Sequence, residues 1–418
     1  MEHREDQSNH LGRAVRLLEI PAGPAGAAAL LPPLADALAG VGAALALAPA
    51  GTDDYAERIR RAVGFANDST PTVVDPDIAL VLSTSGSLGH PKGVLLPAAA
   101  LLASAHATHE FLDGPGSWLL AVPVTSVAGV QVLVRSLVAQ TEPVTLSSIG
   151  GGGGGFDPAE FADKVWALDP SLPAYCSLVP TQIARILEHP AATSALQGFD
   201  AVLIGGARLP ETIAVKLDDA YVQWYSTYGM TETSGGMFYN GTALDGAHVR
   251  LIDVDESGAG RIVLDGPMIA RGYLNDHQAS ALAFSEGAHL TSDLGRIVEG
   301  RLEVIGRLDD VVQVGGINVA LAAIEEILQR HCKEVAVLAE PDDTWGSAIT
   351  AYVCEPQMPA DEYLAEVEAI LGRAARPRSV VVVPSIPHSP NGKPDRDALR
   401  RTPNPNLAPA SDDAALRQ

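Results

Sequence analysis

A chain of 418 residues, 47% of them hydrophobic, can bury a sizeable core and is long enough for two or three domains. Its formal net charge of −23 argues against a nucleic-acid surface, which needs clustered Lys and Arg to displace counterions. Cys176, Cys332 and Cys354 stand far apart with no CxxC pair, which argues against a disulfide framework or a cysteine zinc site and suits a reducing, cytoplasmic compartment.

The N-terminal MEHREDQSNH is charged and polar, unlike a signal peptide. The apolar run at 26–50 is rich in Ala, Gly and Pro and is interrupted by Asp36, so no membrane span is expected there. From 77 to about 226, short apolar runs alternate with amphipathic stretches. DIALVLSTSG, SWLLAVPV, EPVTLS, PAYCSLV, DAVLIGG and VQWYSTYG read as strands. AAALLASAHATHEFL, GVQVLVRSLVAQ, PAEFADKVWAL, PTQIARILEH and PETIAVKLDDA read as helices. Repeated strand–helix units imply an α/β fold with a mainly parallel sheet flanked by helices, whose ligands bind at the carboxyl ends of the strands. The six glycines at 150–155 suit a flexible surface loop. After about 240, AHVRLIDVD and GRIVLDGP suggest a small β-rich section. Near Gly306 a separate α+β domain begins, with a helix over ALAAIEEILQRH. The expected domains are 1–305 and 306–401, followed by a disordered tail over 402–418.

LSTSGSLGHPKGVLL, residues 82–96, follows an apolar run with backbone N–H groups, hydroxyls and one lysine, a chemistry suited to nucleotide phosphates. P-loop spacing is absent, because Lys92 lies between Pro91 and Gly93. Taken alone, such a loop is more often an ordinary turn. TSGSLGHPKG (84–93) resembles the signature loop of the acyl-adenylate-forming superfamily, which includes acyl-CoA synthetases, luciferases and peptide-synthetase adenylation domains. GGARLP (205–210), YGMTET (228–233), TSDLGRI (291–297), GRLDDVVQVGGINVALAAIEEIL (306–328) and PNGKPDR (390–396) resemble further blocks of that family, in its order. Together they cover roughly 75–400.

The resemblance implies an enzyme that activates a carboxylic acid with ATP and magnesium and passes the acyl group to a thiol. The N-terminal domain would be shortened, since the phosphate loop starts near residue 84, and the C-terminal domain would be mobile. On the matching positions, Thr84, Ser85, Gly86, Ser87, Gly89 and Lys92 would hold the β- and γ-phosphates. Thr231 would contact the α-phosphate and Glu232 would bind magnesium, a hard ion that takes oxygen ligands. Gly205, Gly206, Ala207, Tyr228 and Gly229 would floor the adenine and acyl pockets. Asp293 would accept the ribose hydroxyls with Arg307 in support, and Lys393 would serve as the catalytic cation. Asp309 matches the hinge, and Gly315 and Gly316 would let the backbone approach coenzyme A. Some of these residues also have a plain reading: Lys393 as a solvated lysine, Asp293 as a helix cap or turn residue, Glu232 as a helix-start carboxylate, Gly315–Gly316 as a hairpin turn.

No carrier domain follows, which favours free coenzyme A as acceptor, and VPVTSVAGV lacks the aspartate that binds amino-acid substrates in this superfamily. WLLAVPVTSVAGVQVLVRSLVAQTEPV, CSLVPTQIARIL and GGINV most resemble the o-succinylbenzoate–CoA ligases in their short actinobacterial form. The alternatives are another aryl or medium-chain acid, or a catalytically impaired paralogue. For the second carboxylate of such an acid, Gln182 and Arg185 lie one helical turn apart, with Arg185 the leading cation and Arg135 the second; a solvent-facing helix arginine is the plain reading of Arg185. Two departures stand out: Leu88 replaces a phosphate-loop threonine, and Thr125–Ser126 replaces an aromatic–histidine pair, so Ser126 falls at a substrate position. A family tendency to dimerise carries over as an expectation.

Overall fold

The computed structural model describes residues 12–65, 72–84, 91–149, 155–342, 345–388 and 394–402. It divides into two compact units. One runs through Thr291 and includes Gly295–Val304; the other comprises Ser292–Leu294 and the chain from Ile305.

The first unit opens with β1 (Arg13–Ile20), α1 (Pro24–Leu38), β2 (Ala44–Pro49) and α2 (Asp54–Ala62). Ala, Gly and Pro obscure any period in this stretch, so the sequence pattern does not mark these elements. Arg13 ties them together: its guanidinium donates to the carbonyls of Ala37, Val41, Gly42 and Ile78. It thereby satisfies carbonyls at and beyond the end of α1 that have no partner within the helix. β3 (Val73–Val74), β4 (Ile78–Ser83) and β5 (Gly93–Pro97) complete most of a six-stranded sheet. β1, β2 and β4 run parallel, but β4 and β5 form an antiparallel hairpin. The strand expected over DIALVLSTSG therefore lies outside the main parallel sheet. GVLLP pairs antiparallel with it, Ser83 opposite Gly93.

The second sheet matches the expected alternation. Its elements are α3 (Ala98–Phe111), β6 (Ser117–Leu120), α4 (Val127–Ala139), β7 (Val144–Thr145), α5 (Pro158–Lys164), β8 (Ala174–Leu178), α6 (Pro180–Leu187), α7 (Pro190–Leu196), β9 (Ala201–Ile204), α8 (Glu211–Asp219), β10 (Trp224–Met230), β11 (Gly235–Tyr239) and β12 (Thr242–Ala243). Only α7 and the last two strands go beyond the sequence reading. The order is β12-β11-β10-β9-β8-β6-β7, parallel from β7 to β10 and antiparallel from β10 to β12. Fully buried Trp118, Leu119, Tyr175, Cys176 and Val202 form its centre, apolar on both faces as a covered parallel sheet requires. Of the six glycines, only Gly155 is among the described residues.

The β-rich section comprises β13 (His248–Ile252), β14 (Gly260–Asp265), β15 (Gly272–Tyr273), α9 (His277–Ala283), β16 (Phe284–Ser285), β17 (Ala288–Val298) and β18 (Arg301–Arg307). β15 leaves this group and pairs with β5 in the first sheet. The second unit holds the hairpin β19 (Val311–Val314) and β20 (Ile317–Ala320), α10 (Leu321–Leu328), β21 (Cys332–Asp342), β22 (Gly346–Pro356), α11 (Ala360–Leu371), β23 (Ser379–Val382) and α12 (Arg396–Arg400). It has its own apolar core, which includes Ile324, Val337, Val353 and Val367. Among the described residues, no helix is long and apolar enough to cross a membrane.

One buried polar group bears on stability. His109 on α3 accepts a hydrogen bond at Nε2 from Trp118 Nε1, 3.4 Å away. Burial, then the charges of Arg135 and His106, push its pKa down from 6.5 to about 4. A depressed folded-state pKa contributes stability that is fully present above pH 6.5 and is lost as pH falls toward 4. Urea unfolding of His109→Gln between pH 7 and 4 is expected to show a flatter stability profile than the native chain.

Candidate active site

Four parallel strands deliver the chain to one edge of the second sheet. After β6 comes Ser126, after β8 Gln182, after β9 Gly205–Ala207, and after β10 Thr231–Glu232. Their carboxyl ends coincide because the strands are parallel.

Glycine is required at two of these points. A Cβ at Gly205 would fall 2.4 Å from Thr227 Oγ1, and one at Gly229 would fall 2.0 Å from the Gly235 carbonyl oxygen. The second close approach lets β10 reverse into β11, with Gly229 opposite Gly236 and Met230 opposite Gly235. Between the strands, Thr231–Thr233 form a single 3-10 turn, followed by Ser234 in the left-handed region at φ 55°. Thr233 staples the turn: its Oγ1 accepts from Met230 N at 2.9 Å and donates to the Gly235 carbonyl at 2.6 Å. Thr231 and Glu232 are left half-buried on the open side. Tyr228 packs on Phe238, ring centroids 6.4 Å apart, while Gly206 (φ 83°) and Ala207 are exposed.

The phosphate-loop hairpin meets the same turn. Thr84 and Lys92 close it: Thr84 N donates to the Lys92 carbonyl at 2.8 Å, and Lys92 N donates to Thr84 Oγ1 at 3.1 Å. Ser85, Gly86, Ser87, Leu88 and Gly89 lie outside the described residues. β15 runs beside β5, and just before it Ala270 N donates to the Glu232 carbonyl at 2.8 Å. This places Tyr273 between the two motifs. Lys92 Nζ lies 4.6 Å from its ring centroid, and its hydroxyl donates to Glu232 Oε1 at 3.0 Å. One ring thus braces a cation on its face and a carboxylate at its tip. Periodicity could not single out Tyr273, which lies 41 residues from Glu232 in a two-residue strand.

On the acid side the outcome differs from expectation. Ser126 caps α4, accepting from Gly129 N at 3.3 Å and donating to the Pro123 carbonyl at 2.7 Å. Gln182 and Arg185 do not share one environment. Gln182 is buried, accepts from Val179 N at 3.0 Å and donates to the Ala121 carbonyl at 2.7 Å, so both ends of its amide serve the fold. Arg185 is exposed, and its Nη1 donates to the Phe156 carbonyl at 3.4 Å beside the end of the glycine run. Arg135 is 3% exposed, stacked 4.9 Å from the Trp118 ring and hydrogen-bonded to Tyr239 Oη at 3.3 Å. Packed there, it is a core residue and does not present its guanidinium to an acid.

In the second unit, Asp293 is 6% exposed with Arg307 Nη1 3.6 Å from its Oδ1. Asp309 lies in the 3-10 turn Leu308–Asp310. Gly315 and Gly316 form the two-residue turn of the β19–β20 hairpin at φ 58° and 83°, values that favour glycine. Lys393 lies outside the described residues. Just after it, Arg396 reaches Asp310 Oδ1 at 2.5 Å and Glu325 Oε1 at 3.7 Å. Burial opposes the charge on Arg396, but the two carboxylates outweigh it and hold its pKa above the ordinary value.

The model of the AMP-binding enzyme family matches residues 36–274, and that of the AMP-binding enzyme C-terminal domain matches 323–393. The chain belongs to the AMP-binding enzyme family. It is 40% identical over 398 residues to a probable 2-succinylbenzoate–CoA ligase of Mycobacterium tuberculosis, covering 93% of this chain and 98% of that one. A 4-chlorobenzoate–CoA ligase of Arthrobacter is 29% identical over 82% of this chain and 70% of its own length. The o-succinylbenzoate coenzyme A synthetase of Bacillus subtilis, solved with ATP and magnesium ion, shares the fold. Its TM-score is 0.71 at 19% identity, covering 93% of this chain and 90% of that one.

For this AMP-binding enzyme the glycine geometry is directly testable. Gly229→Ala is expected to lower stability by about 3 kcal/mol, since backbone must yield to the new methyl group. Gly206→Ala meets only a Val179 methyl at 3.3 Å and should cost about 1 kcal/mol, from its left-handed backbone. Urea midpoints of the two variants check the ranking.

Proposed function

We propose that the chain is an ATP-dependent acid–CoA ligase. It joins a carboxylate to the α-phosphate of ATP with release of pyrophosphate, then transfers the acyl group to coenzyme A. The acid is o-succinylbenzoate, and the product is the o-succinylbenzoyl-CoA of menaquinone biosynthesis. The observation that carries this reading is the 40% identity to a probable ligase for that acid over nearly the whole of both chains. The Arthrobacter relative keeps another aryl acid as the second reading.

Adenylation builds negative charge on phosphate oxygens, so the protein must position two anions and offset that charge. Thr231 offers a hydroxyl beside the α-phosphate from a turn whose backbone is already stapled. Lys92 and the Gly/Ser loop from Thr84 hold the β- and γ-phosphates. Among the described residues, no cluster of three metal-ligating side chains exists. Glu232 instead supplies one carboxylate, a donor set that fits magnesium held mainly through phosphate oxygens. Bound there, magnesium supplies charge neutralisation and orientation of those oxygens. Asp293, steadied by Arg307, accepts the ribose hydroxyls. Lys393 brings a flexible cation to the α-phosphate and the incoming carboxylate. The C-terminal unit then turns at Asp309 to exchange this lysine for the Gly315–Gly316 turn, along which coenzyme A enters. Arg185, exposed in the last turn of α6, is the cation offered to the second carboxylate of the acid.

A mass-spectrometric product assay with ATP, magnesium, coenzyme A and a panel of acids tests the reading. AMP with o-succinylbenzoyl-CoA is expected; AMP with another thioester would move the enzyme to a different acid, and ADP would defeat the adenylation chemistry. Lys393→Ala should suppress adenylate formation while sparing thioester formation from supplied acyl-adenylate. Equal loss of both steps would remove Lys393 from its assigned place.

A further inference from the structure

Helix α4, VAGVQVLVRSLVA, is apolar on most of its surface, yet it carries in its second turn a glutamine that is 1% exposed. Burying an amide without hydrogen bonds is costly, so its partners indicate why it is there. Gln131 Nε2 donates to the Ser234 carbonyl at 2.7 Å and to the Leu101 carbonyl of α3 at 3.2 Å. Both amide hydrogens are therefore used, while Oε1 is buried with no protein partner.

The Ser234 carbonyl sits immediately after the Thr231–Thr233 turn. Ser234 holds a left-handed conformation that costs a non-glycine residue energy, and Gly235 follows at φ 119°. A Cβ at Gly235 would fall 3.2 Å from Gln131 Cγ, so the glutamine stem lies flat against this backbone. Thr233 clamps the turn from within, and Gln131 clamps it from beneath, across 103 residues of sequence. Ser104 Oγ and Ser234 Oγ are also buried without a protein partner, and Ser104 Oγ lies 3.5 Å from the same Cβ position.

We propose that Gln131 is a positioning residue for the adenylation half-reaction: it fixes the Ser234 carbonyl, and through it the orientation of Thr231 and Glu232, without touching a reactant. This rests on the reading of Thr231 and Glu232 given above. A purely structural glutamine would alter stability and leave the rate of the folded enzyme alone. A positioning glutamine acts on the first half-reaction selectively.

The test uses the full chain and follows acid-dependent pyrophosphate–ATP exchange for the first half-reaction, with thioester formation from supplied acyl-adenylate for the second. Gln131→Met keeps the length and removes the N–H groups. Its exchange kcat is expected to fall about tenfold, the size of one lost hydrogen bond of ordinary strength. The KM for the acid and the second half-reaction should stay within about twofold on the same scale. Gln131→Glu should show the same loss at pH 8 and recover as pH falls to 6, because a buried carboxyl takes up a proton and regains one donor. A folded Gln131→Met with native exchange kcat overturns the proposal. If Gln131→Met does not fold, Gln131→Glu decides: a ratio to the native rate that is flat with pH overturns it. Failure of both variants to fold would assign the amide to the fold and overturn it as well. Glu232→Gln in the same assay separates the premise: native exchange there defeats the reading of Glu232 itself. Loss there beside native exchange in Gln131→Met defeats only the proposal.

Discussion

The backbone of Gly229 approaches the carbonyl of Gly235 so closely that no side chain could stand between them. That contact lets a strand leaving a parallel sheet reverse within a single turn, and the turn carries Thr231 and Glu232. Parallel strands usually continue into a helix, which would carry such residues away from the sheet edge. Here the reversal keeps them at the edge, where three neighbouring strands also end. The left-handed Ser234 and the buried Thr233 staple follow from the same reversal. A non-glycine residue in that conformation persists only when its surroundings over-determine it. Thr233, Gln131 and the β10–β11 pairing together do so.

The second sheet supplies rigidity and the first supplies charge. Lys92 sits at the end of a hairpin in one sheet and Glu232 at the end of a strand in the other, and Tyr273 spans them through one ring. A site braced on strands, with neighbours that fix its side chains, holds geometry better than one built on loops alone. The polar residues behind it have other duties. Arg135 and His109 are packed around Trp118, where burial disfavours charge on both. Their chemistry belongs to the core, although their residue types suggest substrate binding.

Much of this was legible in the sequence, and the limits have physical causes. Apart from α7, strands and helices from Ser117 to Met230 follow the alternation of apolar runs, because each packs on the sheet through a regular face. GGARLP and YGMTET mark the sheet edge, since they close β9 and β10, whereas TSDLGRI lies within β17. The β-α-β-α opening was not legible: α1 is Ala-rich and contains Pro32 and Pro33, which local propensity places outside helices. The β4–β5 hairpin was hidden because a strand followed by a glycine-rich loop reads the same whether the chain returns or goes on to a helix. Gln182 and Arg185 have the spacing of neighbours, yet one turns into the core and the other to solvent. Tyr273 and Gln131 act over 41 and 103 residues of separation, and nothing local distinguishes them from a strand tyrosine and an odd polar residue in an apolar helix.

If these contacts suffice, the turn from Gly229 to Gly236 is already formed before nucleotide arrives. Crystal structures of the chain alone and with ATP and magnesium would test it most directly. The expected result is a turn backbone that superimposes within about 1 Å, the usual range for a pre-organised site, with Ser234 left-handed and its carbonyl on Gln131 in both. A turn that rebuilds on binding, with Ser234 leaving the left-handed region or Gln131 releasing its carbonyl, would contradict it.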